Sequence, residues 1–487
     1  MNRYLGIFSN TTAIQTALNN NELSKPYIAL YENNTSIDYN TQTLSNENLS
    51  IYYSMPFTIE ALENGTIDLF YDNWDETGSE GWYKLNNGNW TQINDDVNLN
   101  INNGDIIQIK GLNYGPGWRP SDSSTGSGAG SGAGSGSGSG SIRYVERYNF
   151  YDCDFQHEIY GNILSLLYKD NFIENNELIA EYNQFEYLFE DNTELISAEN
   201  FILPSITLNN SDYYRMFSGC TSLTTAPSIL PATNLSISCY YEMFMNCTSL
   251  VSVPVLPATT LADYCYREMF NGCTSLTIAP TLPATTLAEC CYLEMFENCT
   301  SLTSAPALPA TTLAEGCYDH MFYGCTSLTT APALPATTLA EDCYSCMFWD
   351  CTSLINVPLQ LPATTLAPGC YSLMFDGCTS LTTAPALPAT TLAPRCYTTM
   401  FADCTNLTTA PDLPANILTE SCYSWMFYGC TTLNYIKCLA TDISATDCTK
   451  NWVNNVSVTG TFVKDSNMTW AQGSSGRPSG WTVENAA

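Results

Sequence analysis

The dipeptide Met-Phe recurs at Met216, Met243, Met269, Met295, Met321, Met347, Met374, Met400 and Met426, always 26 or 27 residues apart. A fixed period of this length restricts the chain to a repeat architecture. Each unit is too small to bury its own apolar face and must bury it against its neighbours. A degenerate copy, Leu188-Phe189 followed by Asn192-Thr193-Glu194-Leu195, precedes the others, so an array of about ten coils is expected. The unit reads LPATTLA-x-x-CY-x-x-MF-x-x-CTSLTTAPA. Both 27-residue units carry their extra residue at one place, Pro227–Pro231 and Pro358–Pro362, which marks a loop on the edge of each coil.

Within a unit the apolar residues have a helical period. With Cys239 as position i, Met243 and Cys247 fall at i+4 and i+8, and Tyr240 and Phe244 at i+1 and i+5. These five form one stripe on a short helix. Positions i+2, i+3 and i+6 vary and are expected to face solvent. Position i+7 is always Gly, Asn or Asp, the residues that best tolerate a left-handed backbone, so the helix is expected to end there. The following segment, such as Leu276–Pro280, reads as a very short strand that proline terminates. Stacked strands repeat at about 4.8 Å, so the rod is expected to be roughly 48 Å long on the strand side and wider on the helical side.

The chain has 22 cysteines, and all but Cys153 lie between Cys220 and Cys448. They form two columns, one containing Cys239 and Cys265, the other Cys220 and Cys247. Two cysteines eight residues apart on a helix are separated by about 12 Å. Equivalent cysteines on packed helices would be roughly 10 Å apart. Both are too far for a disulfide, so the columns read as small buried hydrophobes. Cys343-Tyr-Ser-Cys346 is a CxxC, but no second one pairs with it, which argues against zinc. Cys290 and Cys346 stand off the columns and are expected to be exposed, reactive thiols.

The pattern GC-T-S-L-T-x-x-P-x-L-P-A-T-T-L-A-x-x-C-Y-x-x-M-F over about residues 185–445 resembles the BspA-like leucine-rich repeats of gut and oral bacteria, with Met-Phe where that family commonly has Ala-Phe. The stretch through Trp452, Phe462 and Trp481 resembles the segment that often follows such arrays. The layout also looks like that of surface or fibre-type proteins of gut bacteriophages. The resemblance implies an α+β chain with a right-handed leucine-rich-repeat-type solenoid, and an adhesin on a cell or virion surface. Expected boundaries are a β-rich N-terminal domain at 1–165 with a Gly/Ser linker at 121–141, the solenoid with its caps at 166–448, and a C-terminal cap or tail at 449–487.

Ahead of the array, residues 1–50 are rich in Asn and Thr, with a short helix expected at Thr11–Leu18 and a strand at Tyr27–Leu30. Residues 55–110 alternate as strands do, through Phe57, Ile59, Ala61, Ile67, Leu69, Val97, Leu99 and Ile101, with a further strand at Ile106–Lys110. Asn87-Gly88 between Trp82 and Trp90 signals a hairpin. The expectation is a β-sandwich-like domain in which Trp74, Trp82, Trp90 and Trp118 serve as core and pairing residues, the alternative being a carbohydrate-stacking face. Glycine at every even position from Gly126 to Gly140 excludes GxGxxG and reads as a flexible linker or loop. Residues 142–155 read as strand again.

Charge narrows the function. Forty-eight acids against 15 bases give a formal net charge of −33. A chain so acidic repels phosphates, which argues against nucleic acids and anionic membranes as partners. No apolar run is long enough to span a bilayer. The first residues lack the apolar core of a secretory signal; the chain acts inside a cell, leaves by another route such as virion assembly, or is a piece of a longer one. There is no HExxH, no P-loop and no cofactor motif, and His157 and His320 are the only histidines. His320 sits at a variable position beside Cys317, without an evident orienting group, and neither enzymatic activity nor a cofactor is expected. The signal that remains is variation within a constant scaffold. Tyr241, Met245, Tyr323, Trp349, Trp425 and Tyr428 stand at the variable positions and are candidate binding residues, since exposed aromatics anchor interfaces; neutral drift is the competing explanation. The expected function is non-enzymatic recognition of a host cell-surface protein or glycan, through an extracellular-facing array that the β domain attaches to a larger particle or to other copies. The alternative is a structural decoration or fibre protein of a bacteriophage, with the array as spacer.

Overall fold

The computed structural model describes side chains in residues 55–69, 81–94, 97–111, 153–172, 175, 178 and 183–486, and backbone alone at 173–174 and in parts of 31–50. The expected helix at Thr11–Leu18, the strand at Tyr27–Leu30, Trp74, Trp118, the linker at 121–141 and most of 142–155 lie outside the described residues.

Two short antiparallel pairs come first, β1 (Tyr31–Glu32) with β4 (Leu49–Ser50) and β2 (Ser36–Asp38) with β3 (Thr43–Ser45). The alternating segments then form β5 (Phe57–Ala61), β6 (Gly65–Leu69), β7 (Gly81–Leu85), β8 (Thr91–Ile93), β9 (Val97–Ile101), β10 (Ile106–Lys110) and β11 (His157–Asn162). Helix α1 (Ser165–Tyr168) runs into a 3-10 turn (Lys169–Glu174), and β12 (Leu195–Ser197) and β13 (Phe201–Ile202) open the array. The main sheet has the order β12-β11-β5-β10-β7-β8, with β13 also on β11, while β6 pairs with β9. Phe57, Ile59, Ile107 and Ile109 are fully buried. The Asn-Gly hairpin is present but wider than its sequence implies. Trp82 pairs with Gln92, and the left-handed residue is Asn86 rather than Asn87.

The sheet continues into the repeats. β11 is antiparallel to β5 on one side and parallel to β12 on the other. Phe57 packs 5.9 Å from Phe189 of the first repeat. Buried His157 ties the junction together. Its Nδ1 lies 2.9 Å from the Phe155 carbonyl, and its Nε2 3.4 Å from Asn192 Nδ2. Burial pushes this imidazole down to about 4, so it is a neutral structural residue at ordinary pH.

The expected stripe is buried, but it does not lie on an α-helix. In the repeat at Cys239, the amides of Tyr241, Met243, Met245 and Cys247 each close a turn three residues back, to Ser238, Tyr240, Glu242 and Phe244. The amides between them, Tyr240, Glu242, Phe244 and Asn246, donate instead to Cys265, Arg267, Met269 and Asn271 of the next repeat. Every amide is thus satisfied, half locally and half across the stack. An α-helix spends all of these bonds on itself and could not provide the crossing ones. The alternation is bought with a left-handed residue every fourth position: Ser238, Glu242 and Asn246 have φ of 55°, 53° and 59°. The i+7 reading therefore holds for the backbone, but i−1 and i+3 are left-handed too, and α1 is the one α-helix among the described residues. The fold is mostly β, with few helices.

Because the backbones bond directly, the outer side does not widen to helix spacing. Phe270, Phe296, Phe322 and Phe348 stack 5.7, 5.6 and 5.6 Å apart with planes within 7°. Tyr266, Tyr292, Tyr318 and Tyr344 form a second column at 5.9, 5.8 and 5.6 Å. These are offset stacks, the favourable parallel geometry for rings. On the opposite side the strands shrink to isolated parallel bridges, such as Ile278↔Ser304 and Thr330↔Asn356, as proline dictates. The inserted Leu359 is 95% exposed, as a loop residue should be. The stacking continues past Cys448: β14 (Tyr435–Cys438) is followed in parallel by β15 (Thr461–Lys464) and β16 (Thr482–Asn485). Trp452 closes the tyrosine column 6.2 Å from Tyr423 and is backed by Trp470 at 5.6 Å.

The 10 Å separation expected between neighbouring cysteines is corrected for the same reason. Bonded neighbours bring equivalent Cα atoms to about 5 Å, within disulfide range, yet no disulfide joins the column cysteines. Orientation separates them. Cys247 Sγ donates to the Phe217 carbonyl of the preceding repeat at 3.0 Å, and Cys273, Cys299 and Cys325 do the same to Phe244, Phe270 and Phe296 at 3.1 Å. Burial raises the pKa of Cys273 and Cys325 well above the free value. In native protein a disulfide reagent is therefore expected to find at most Cys290 readily, against 22 thiols after denaturation. Rapid reaction of a whole column would contradict the packing. Cys325→Ser, which keeps a donor for the Phe296 carbonyl, is expected to be milder than Cys325→Ala by about 1 kcal/mol in denaturant unfolding.

Candidate functional site

The residues at i+2, i+3 and i+6 rise from neighbouring repeats about 5–6 Å apart, so they form columns rather than isolated side chains. They are more covered than the sequence implies. Glu242, Leu293, Ser345, Cys346 and Ala402 are buried. Tyr241, Met245, Tyr323, Trp349, Trp425 and Tyr428 are all half-buried. Each aromatic among them is wedged against a neighbour. Tyr241 meets Tyr214 edge-on at 5.1 Å, and Tyr214 meets Tyr187 at 5.3 Å. Arg267 lies 5.1 Å over Tyr241, and Arg215 bridges Glu190 and Glu242 at 3.1 and 3.0 Å. Tyr323 packs 4.7 Å from Trp349, and Trp425 5.0 Å from Tyr428. The aromatic candidates thus fall into three clusters, and Met245 stands at i+6 of the same repeat as Tyr241. Sequence reasoning missed Tyr187, Tyr214 and Arg267. Their signal was the column: Tyr214 and Arg267 stand at i+2, one repeat on either side of Tyr241, and Tyr187 at i+3, two repeats before it.

Of the tryptophans weighed as a carbohydrate face in the β-rich part, Trp82 and Trp90 are half-buried. Lys110 Nζ sits 4.2 Å over the Trp90 ring and bonds Asp170 at 2.5 Å. Trp90 already has a cationic neighbour on its face and is part of the packing.

The middle cluster contains more chemistry than its aromatics. His320, whose sequence neighbour is Cys317, is stacked instead beside Cys346, one repeat on in the same i+3 column. Cys346 is only 5% exposed, so the expectation of an exposed thiol is corrected; Cys290 is half-buried and raised by burial to about 11. His320 Nδ1 lies 2.8 Å from Asp319 Oδ1. The approach is off the axis of the ring nitrogen, and neither atom makes a directed hydrogen bond despite being buried. Burial works against the charged imidazole, but Asp319 and Cys346 outweigh it and push it up to about 10. Ligand atoms of Asp319, His320 and Cys346 lie within 4.8 Å of one another, a grouping able to hold a metal ion.

Three acids lie further along. Burial, then the charges of Asp403 and Asp350, push Asp376 up to about 7. An unfolded Asp titrates near 3.9. A raised carboxyl favours the folded state when protonated, so its contribution is complete below about pH 4 and is lost as pH rises through about 7. After discounting for partial exposure, this amounts to on the order of 1–2 kcal/mol. Unfolding at pH 5 and pH 8 should show greater stability at pH 5, and Asp376→Asn should shrink the difference. An unchanged difference would remove Asp376 as its source.

Solved structures similar to the chain include two leucine-rich repeat proteins of gut bacteria. One is a leucine-rich repeat protein from Bacteroides ovatus, 16% identical, with a TM-score of 0.35, over 62% of this chain and 77% of that one. Another is a leucine rich cell surface protein from Faecalibacterium prausnitzii, 16% identical, with a TM-score of 0.29, over 52% of this chain and 75% of that one. No family model matches the sequence, and no curated protein does. Among the described residues no helix is long and apolar enough to cross a membrane.

Proposed function

We propose that the chain is a surface recognition protein without catalytic activity. In this reading residues 1–165 attach it, residues 166–448 form a right-handed leucine-rich-repeat-type solenoid of about ten coils, and 449–487 cap it. The variable columns present a binding face to a protein or glycan on a cell surface, and the protein faces the outside of a cell or virion. The observation that carries the reading is the contrast within each repeat. Buried positions are nearly invariant from one repeat to the next, while i+2, i+3 and i+6 change and concentrate half-buried aromatics in three clusters. Aromatics held by their neighbours lose little freedom on contact, which suits them as anchors.

The test is binding of fluorescent protein to intact gut bacterial and epithelial cells and to immobilised glycans. Tyr323→Ala with Trp349→Ala, and separately Trp425→Ala with Tyr428→Ala, are expected to weaken binding at least about tenfold for the cluster in use. Folding is checked by unchanged thiol protection. Full binding by both double variants and by Tyr214→Ala with Tyr241→Ala would reject the face and favour the array as a spacer in a bacteriophage decoration or fibre.

A further inference from the structure

We propose that Asp319, His320 and Cys346 form a binding site for a single transition-metal dication, with zinc the best chemical match. The inference goes beyond the recognition reading and does not depend on it.

The ligand types come first. A carboxylate, an imidazole and a thiolate together are the donor set of borderline metals such as zinc, and unlike the oxygen-only sets of calcium and magnesium. Carboxylate and thiolate carry two negative charges, which a dication neutralises. Three protein ligands leave a fourth position for water or a ligand group.

Geometry comes second. The backbone under the site is fixed: the His320 amide donates to Ser345 O at 3.0 Å and the Cys346 amide to Ser372 O at 2.8 Å. The two side chains therefore rise from adjacent rungs of a rigid ladder. The 2.8 Å between His320 Nδ1 and Asp319 Oδ1 is shorter than the roughly 3.4 Å between neighbouring ligand atoms on a tetrahedral ion with bonds near 2.0–2.2 Å, a gap that small side-chain rotations open. Both atoms are buried and lack a directed partner. A shared third atom satisfies both more fully than their own poorly aligned pairing. Ser345 Oγ, 3.4 Å from Cys346 Sγ, can orient the thiolate from outside the ligand set. Trp349, with its ring 6.0 Å from His320, walls one side.

The other use of such a trio is a thiol nucleophile with its base. The site is poorly built for that. Cys346 is nearly inaccessible, and its own amide, a natural donor to a developing oxyanion, is committed to Ser372. The sequence hid the site because its CxxC points along one repeat, whereas the ligands that meet lie on two.

The test uses full-length protein, reduced and stripped with a chelator, then titrated with cobalt(II) as a spectroscopic probe and with zinc in competition. The expected result is a single equivalent of cobalt with a thiolate charge-transfer band, displaced by zinc. Cys346→Ser should lose the band, and His320→Gln or Asp319→Asn should weaken binding by about 100-fold or more. Cys290→Ser should change nothing. Thiol protection of the other columns in each variant separates a lost ligand from a lost fold. Absence of the band in native wild-type protein, or its persistence in Cys346→Ser, would overturn the proposal.

Discussion

Phe322→Ala is expected to lower the unfolding free energy by about 3–5 kcal/mol, the range for emptying a fully buried aromatic site. Phe322 has no exposed surface, and the rings of Phe296 and Phe348 cover it on both sides at 5.6 Å. Backbone ladders on either side hold the neighbours in place, so the hole cannot collapse. A stacked array adds a second consequence. Each repeat touches only its neighbours, so weakening two interfaces should split one unfolding transition into two. Denaturant unfolding followed by tryptophan fluorescence and by thiol exposure should give coincident transitions for the wild type and separated ones for the variant. A loss below about 1 kcal/mol would mean that the column is not load-sharing in this way.

Gly377→Ala should be nearly as damaging, although it adds a single methyl group. Gly377 has φ of 69°, and a Cβ there would run into the carboxylate of Asp350 in the preceding repeat. The left-handed backbone alone costs a non-glycine residue about 1–2 kcal/mol. With the collision, about 2–4 kcal/mol is expected. The i+7 column makes the logic visible: Asp191, Gly219, Asn246, Gly272, Asn298, Gly324, Asp350, Gly377, Asp403 and Gly429 alternate strictly. An Asn or Asp in this conformation fills the space above it, so the next repeat must have glycine. Asp350→Gly combined with Gly377→Ala should therefore recover the collision part of the loss and leave the backbone part, a coupling measurable in a double-mutant cycle. Strict additivity would show that the side chains do not meet.

That alternation marks the boundary of what the sequence made legible. The period gave the stack, and the apolar stripe of Cys239, Tyr240, Met243, Phe244 and Cys247 gave the buried face, because burial depends on spacing and not on the type of backbone turn. The backbone itself was misread. A curl of four residues per turn and a helix of 3.6 place apolar residues almost identically over nine positions. A mark of the difference stood at i−1 in three repeats, as Gly316, Asp342 and Gly369, which match the left-handed i+7 position, while Tyr264, Cys290 and Arg395 hide it in others. Once the turn is tighter than a helix and bonded to its neighbour, the rest follows: rungs at ring-stacking distance, cysteines within reach of one another yet turned away, and variable positions half-buried. The six candidate binding residues were found because they are large and stand at changing positions. Tyr187, Tyr214 and Arg267 were missed because contacts between repeats are invisible along the chain, and Asp319, His320 and Cys346 were not joined for the same reason.

The central claim is that the repeats stack through crossing backbone bonds and contain no helix. Infrared spectroscopy of the amide I band tests it most directly, since it is insensitive to the 31 tyrosines that would confuse circular dichroism. The expected spectrum is dominated by turn and β components, with negligible α-helical absorption. An α-helical component equal to about nine residues in every repeat would contradict the ladder, the ring spacing and the reasoning built on them.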